Sequence, residues 1–131
     1  MLGDVIELSI VVKDIEAAAK HFESLFGLKV YARRVSKEFG FKNAILPLGR
    51  GHIELMQPTD PSKAVARFLK SRGEGVYLIG FDVKDIPGSV KALRGKGVRV
   101  TEAPSGNPVA WVHPQDAHGV FVELRKPEQY P

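Results

Sequence analysis

From Val5 to Val12 apolar and polar positions alternate: Ile6, Leu8, Ile10 and Val12 fall on one face, Glu7 and Ser9 on the other. A period of two is the pattern of a strand buried on one side. At Asp14 the period changes. Asp14 is placed to cap a helix, and Ile15, Ala19, Phe22 and Leu25 or Phe26 recur at helical spacing until Gly27 stops it. Strands are predicted at about 28–36, 41–48 and 52–57, the last two joined by the turn Gly49-Arg50-Gly51. Residues 1–57 thus read as a βαβββ module.

Pro58 to Pro61 interrupts the pattern, and Asp60 before Pro61 suits a helix cap followed by proline at the first helical position. Val65, Phe68 and Leu69 then mark a short linker helix within 58–74. A second module, 75–131, opens with Val76 to Val83, where Tyr77, Ile79, Phe81 and Val83 oppose Leu78, Gly80 and Asp82. Asp85 caps a helix carrying Ile86, Val90 and Leu93, which Gly95 and Gly97 end; strands near 98–102, 108–113 and 119–124 and a frayed tail from Pro127 complete it. Val12-Lys13-Asp14-Ile15 returns unchanged as Val83-Lys84-Asp85-Ile86, which marks the two modules as copies. Two copies argue for a duplicated unit closing on itself, since a solenoid needs three or more. The expected fold is α+β: a single domain, 1–131, of two βαβββ modules forming one cupped, barrel-like mixed sheet with helices outside.

A chain of 131 residues is long enough for one core, and 44% hydrophobic with 26% charged residues is a globular balance. The start, Met1-Leu2-Gly3-Asp4, has neither a basic leader nor a long apolar run, so no signal peptide or membrane span is expected. Absence of cysteine excludes disulfide and thiolate chemistry and fits a cytoplasmic location. The net charge of +4 raises nucleic acid as a partner, but the basic residues are spread along the chain with acids between them and read as solvated surface. The expected partner is a small molecule, with no nucleic acid and no membrane.

In both modules the last strand sets a glutamate opposite its apolar residues: Glu54 between Ile53 and Leu55, Glu123 between Val122 and Leu124. Glu7 holds the matching face of the first strand. Three carboxylates lining one cup oppose one another and lose water, so a positive group is expected beside them. It could be a divalent cation (Mg, Mn, Co or Zn) held by Glu7, Glu54 and Glu123 with His52 on the Glu54 face, or the guanidinium of Arg125, or a cationic ligand. In a wide, wet cup the three would instead be ordinary solvated glutamates. Glu7 and Glu123 are the candidate catalytic acids and bases. His21 reads as solvent-facing, His113 and His118 as turn residues, and Trp111 as core or rim packing. No Gly-rich phosphate loop, serine nucleophile elbow or HExxH zinc pair is present.

Paired βαβββ modules resemble the vicinal oxygen chelate superfamily, which includes glyoxalase I, bleomycin-resistance proteins and extradiol dioxygenases. Within it the resemblance is greatest to the methylmalonyl-CoA epimerases, through VVKDIEAAAKHFESLFGLKV (11–30), AILPLGRGHIELMQP (44–58), AVARFLKSRGEGV (64–76) and AWVHPQDAHGVFVEL (110–124). The resemblance implies a homodimer and metal-assisted proton transfer on a small carbonyl or acyl-thioester substrate, an isomerase or lyase activity. It implies metal ligands at the positions of Glu7, Glu54, Leu78 and Glu123, and a proton-abstracting glutamate near Asn43. Leu78 has no ligand atom and Asn43 cannot be a base. The alternative is a metal-free protein that binds and sequesters a small molecule, as resistance proteins do.

Overall fold

The computed structural model describes residues 1–104 and 108–127; the tail expected from Pro127 falls, past that residue, outside them. The chain runs through β1 (Val5–Val11), α1 (Ile15–Phe26), β2 (Ala32–Ser36), β3 (Phe41–Leu48), β4 (Gly51–Pro58), α2 (Ala64–Arg72), β5 (Gly75–Asp82), α3 (Ile86–Gly95), β6 (Val100–Glu102), β7 (Ala110–Val112) and β8 (Val122–Arg125). This is the expected α+β class, with βαβββ on either side of α2. The contacts group the residues into two units that do not follow the module boundaries: Leu8–Tyr77 forms one, and Met1–Glu7 joins the described residues from Leu78 onward in the other. β1 therefore gives its first residues to one unit and the rest to the other.

In the unit Leu8–Tyr77 the strands lie in the order β2-β3-β4-β1. β3 and β4 pair antiparallel with Leu48 opposite Gly51, so the connecting turn is the two residues Gly49 and Arg50. Gly49 has φ 56°, a left-handed backbone that glycine adopts without steric cost. Asp14 caps α1 as expected, its carboxylate accepting from the backbone N–H of Glu16 and Ala17. α1 packs Ile15 and Ala19 onto Ala44, Leu46 and Leu55. The stripe stops earlier than its spacing suggests, because Leu25 and Phe26 are exposed. Residues 28–31 are not in a strand, yet Leu28 and Val30 still pack against this core.

α2 begins at Ala64, with Lys63 at its cap, so Asp60 does not start it. The Asp60 carboxylate is taken instead by the N–H and hydroxyl of Ser62, 2.9 and 2.7 Å away. That local turn competes with helix capping. α2 sets Val65 against Val11 and Met56, with the rings of Phe68 and Tyr77 edge to face at 5.1 Å.

In the other unit the order is β5-β8-β7-β6. β5 and β8 pair parallel, Gly80 beside Glu123; β7 and β8 pair antiparallel, Trp111 opposite Glu123. The N-terminal segment runs along β5, where Gly3 N–H donates to the Asp82 carbonyl and Asp82 N–H to that of Asp4. Asp85 caps α3 through Gly88 N–H, and Ile86 and Val90 of that helix pack on Val83, Ala110 and Leu124. His113 has the turn role expected of it, its ring nitrogen accepting from Gln115 N–H. The Arg99 guanidinium beside Asp116 holds that carboxyl down at about 2.

Candidate functional site

β1 overturns the one-sided reading of its alternation. Glu7 and Ser9, on the polar face, are 4% and 1% exposed, whereas Leu8 and Ile10 on the apolar face are only partly buried. Polar groups at that depth need partners. Each has one in its own unit.

In the unit holding Glu7, the guanidinium of Arg125 donates to Glu7 Oε2 at 2.5 Å and to Glu123 Oε2 at 3.3 Å. Strand geometry places these groups. Glu123 and Arg125 are two residues apart on β8 and so share a face. The opposing residue on β7, Trp111, donates its indole N–H to Glu123 Oε1 at 2.8 Å. Gly80 lies beside Glu123 on β5, and a Cβ built there would come within 2.7 Å of Glu7 Cβ and 3.3 Å of Arg125 Cδ. The missing side chain is what admits Glu7. Burial pushes the Glu123 carboxyl well above the usual carboxylate range, and the charge of Glu7 and a hydrogen bond with it push the same way; Arg125 and Trp111 oppose. Burial and the neighbouring carboxyl thus both favour the protonated form of Glu123.

Glu54 has a different setting. Ser9 Oγ donates to its Oε1 and Asn43 Nδ2 to its Oε2, both at 2.6 Å. Asn43 reaches it diagonally, because Ile45 is the residue directly opposite Glu54 and Asn43 lies two further along β3. The Asn43 carbonyl oxygen accepts from Arg34 N–H, so the amide bridges β2, β3 and β4. His52 is buried on β4, and His21 is exposed on α1 as expected. The structure thus brings Glu7 and Glu123 together and sets Glu54 with Ser9 and Asn43.

The sequence reading missed Ser9 and Trp111 as site residues and weighed Asn43 only as a missing base. The two-residue turn could have placed Asn43 by fixing the β3–β4 register. No comparable signal fixes β7 against β8.

This donor set does not fit a divalent cation as it stands. A hard cation needs several free oxygen ligands, whereas the Glu7 and Glu123 oxygens are already engaged by a guanidinium and an indole N–H. Leu78, at the repeat position of Glu7, brings only carbon. Among the described residues no group of three or more His, Cys, Asp or Glu side chains is placed to hold a metal ion.

Paired βαβββ order with buried carboxylates on the strands defines the class: the chain belongs to the Glyoxalase/Bleomycin resistance protein/Dioxygenase superfamily, whose profile matches residues 7–111. Within that class the chain is similar to the ethylmalonyl-CoA/methylmalonyl-CoA epimerase of Cereibacter sphaeroides, 31% identical over 96% of this chain and 99% of that one. It is also 31% identical to the mitochondrial methylmalonyl-CoA epimerase of Homo sapiens, over 95% of this chain and 74% of the human one. Among solved structures, a Streptomyces coelicolor methylmalonyl-CoA epimerase in complex with 2-nitronate-propionyl-CoA matches with TM-score 0.89 and 28% identity, covering 98% of this chain and 100% of that chain. No helix among the described residues is long and apolar enough to cross a membrane.

Proposed function

We propose that this protein moves a proton at the carbon next to the carbonyl of a small carbonyl or acyl-thioester substrate, in the manner of an epimerase. The observation that carries the reading is the buried Glu7–Glu123 pair, in which burial and the second carboxyl favour the protonated form of Glu123. A pair of this kind can take a proton on one member and give one from the other. The carbon–hydrogen bond breaks toward Glu7, and its electron pair moves onto the carbonyl oxygen as an enolate. The Glu123 O–H then returns a proton to the carbon, and the shared hydrogen bond restores the pair. Arg125 offsets the negative charge beside them. The names of the relatives support a coenzyme A thioester as the substrate class.

Incubation with methylmalonyl-CoA in deuterium oxide, followed by mass spectrometry and chiral analysis, tests this. The expected outcome is protein-dependent deuterium at the α carbon, lost in the double variant Glu7→Gln/Glu123→Gln. No incorporation into methylmalonyl-, ethylmalonyl- or simple acyl-CoA thioesters would sink the reading.

A second reading, sequestration of a small molecule without catalysis, is favoured by Asn43, which stands where the resemblance puts the base and spends its amide on Glu54. Thermal-shift screening of cationic aromatic compounds against CoA thioesters separates the two, since a tight ligand stabilises the native state. Either way we propose a homodimer working in the cytoplasm. Size-exclusion chromatography with light scattering tests the dimer, and cell fractionation the location.

A further inference from the structure

We infer that Arg125 is the built-in cation of this site: its guanidinium, spanning Glu7 and Glu123, takes the place of a divalent metal ion, and the site works without one. The inference rests on Glu7 and Glu123 as the working pair and deepens that reading. Three observations carry it, each from a different residue.

The first is the position of the charge. Arg125 Nη1 lies 2.5 Å from Glu7 Oε2 and 3.3 Å from Glu123 Oε2, so one positive nitrogen serves both carboxyls, as a metal ion serves its ligands. A fixed positive charge at that range repels a second cation and occupies the lone pairs the cation would need. The second is Gly80. Without a Cβ it lets Glu7 press into contact distance of the Arg125 stem, whereas any larger residue there would separate the two. The packing is shaped around the ion pair. The third is Leu78, which is buried on the same strand face as Gly80 and sets hydrocarbon at the position that the repeat pairs with Glu7. Trp111 completes the arrangement by taking Glu123 Oε1, which leaves Oε2 for Arg125.

Removing the guanidinium should therefore uncover a weak metal site. The experiment uses the whole chain, purified through chelator and titrated with Mn²⁺ under electron paramagnetic resonance, in the wild type and in Arg125→Gln and Arg125→Lys. The wild type is expected to bind no Mn²⁺ at this site and to keep its melting temperature. Arg125→Gln should bind about tenfold tighter or more, the scale of one close charge, and be stabilised by the ion. Arg125→Lys keeps the charge and should behave like the wild type.

Stoichiometric Mn²⁺ on the wild type, or a folded Arg125→Gln that binds no better, overturns the inference. If Arg125→Gln does not fold, Mn²⁺ binding to the wild type and to Arg125→Lys still decides it. Deuterium exchange into methylmalonyl-CoA, run with chelator and with added metal, keeps this apart from the function reading. Exchange that appears only with metal overturns the inference and spares the function. Absence of Mn²⁺ from the wild type together with absence of exchange under both conditions sinks the function, and with it the claim that the site works without a metal, while upholding the guanidinium in the place of the ion.

Discussion

Gly80→Ala tests the packing on which the carboxyl pair depends. The new Cβ would sit 2.7 Å from Glu7 Cβ, a separation that non-bonded carbons do not tolerate, and 3.3 Å from Glu7 Oε1 and Arg125 Cδ. Glu7 Cβ is tied to its backbone, so relief requires the N-terminal segment to move away from β5 and Glu7 to leave its ion pair. Overpacking of this kind costs about 1–3 kcal/mol. Replacing glycine in a strand returns about 0.5–1 kcal/mol by restricting the unfolded chain. The net expectation is a loss of about 1–2 kcal/mol, or roughly 3–8 °C in Tm for a chain of this size. The control is Gly75→Ala on the same strand, where an added Cβ meets nothing within 4 Å and Tm should hold or rise slightly. Thermal and urea denaturation of the two variants side by side give the answer. A Gly80→Ala protein as stable as the wild type, with deuterium exchange unchanged, would refute the argument that the missing side chain admits Glu7.

The other outcomes follow from single contacts. Ser9→Ala removes the 2.6 Å donor to Glu54 and should cost about 1–3 kcal/mol in urea denaturation. Asn43→Ala should cost a similar amount, and the double variant less than the sum, because both donors serve one carboxylate. Glu123→Gln should change the pH dependence of stability: the folded carboxyl is raised, so its favourable contribution is full below the ordinary value of 4.5 and fades as pH climbs toward the raised one. The wild type should therefore lose stability relative to the variant as pH rises above 4.5, as measured by urea midpoints, and parallel curves would contradict this. Asp14→Ala should destabilise by about 1 kcal/mol through α1, whereas Asp60→Ala should leave helicity by circular dichroism unchanged, because Asp60 caps no helix.

The sequence shows faces more readily than depth. Alternation put Glu7 and Ser9 on one face of β1 correctly, but it cannot say what covers that face, and both are almost fully buried. Their burial is possible because Arg125 and Glu54 meet them, contacts spanning 118 and 45 residues of chain. A positive group was expected beside the carboxylates, and the Arg125 guanidinium lies against both Glu7 and Glu123. Register explains the rest. A two-residue turn fixes β3 against β4, so Asn43 beside Glu54 follows from counting back from Gly49. Between β7 and β8 lies a turn of Pro114–Asp116 and several further residues, so no count from the chain sets Trp111 opposite Glu123. The helix at 58–74 began late for a local reason, the competing bond from Asp60 to Ser62.

The duplicated modules have put the same glutamate to different uses. Glu54 is held by two neutral donors, a hydroxyl and an amide, each on its own oxygen, which fixes its orientation. Glu123 is held by an indole N–H, a guanidinium and a second carboxyl, and its burial beside that carboxyl raises it well above the usual carboxylate range. The difference traces to β5. At Leu78 that strand gives up the polar group that the repeat places at Glu7, and at Gly80 it gives up a side chain altogether. Two carboxyls are thereby pressed together with no ligand from β5 to share an ion with them, and a buried like-charged pair must either gain a cation or keep a proton. Here Arg125 supplies the cation, and burial beside Glu7 favours the protonated form of Glu123. The proposed proton transfer rests on that pair, and Glu54 is oriented by Ser9 and Asn43.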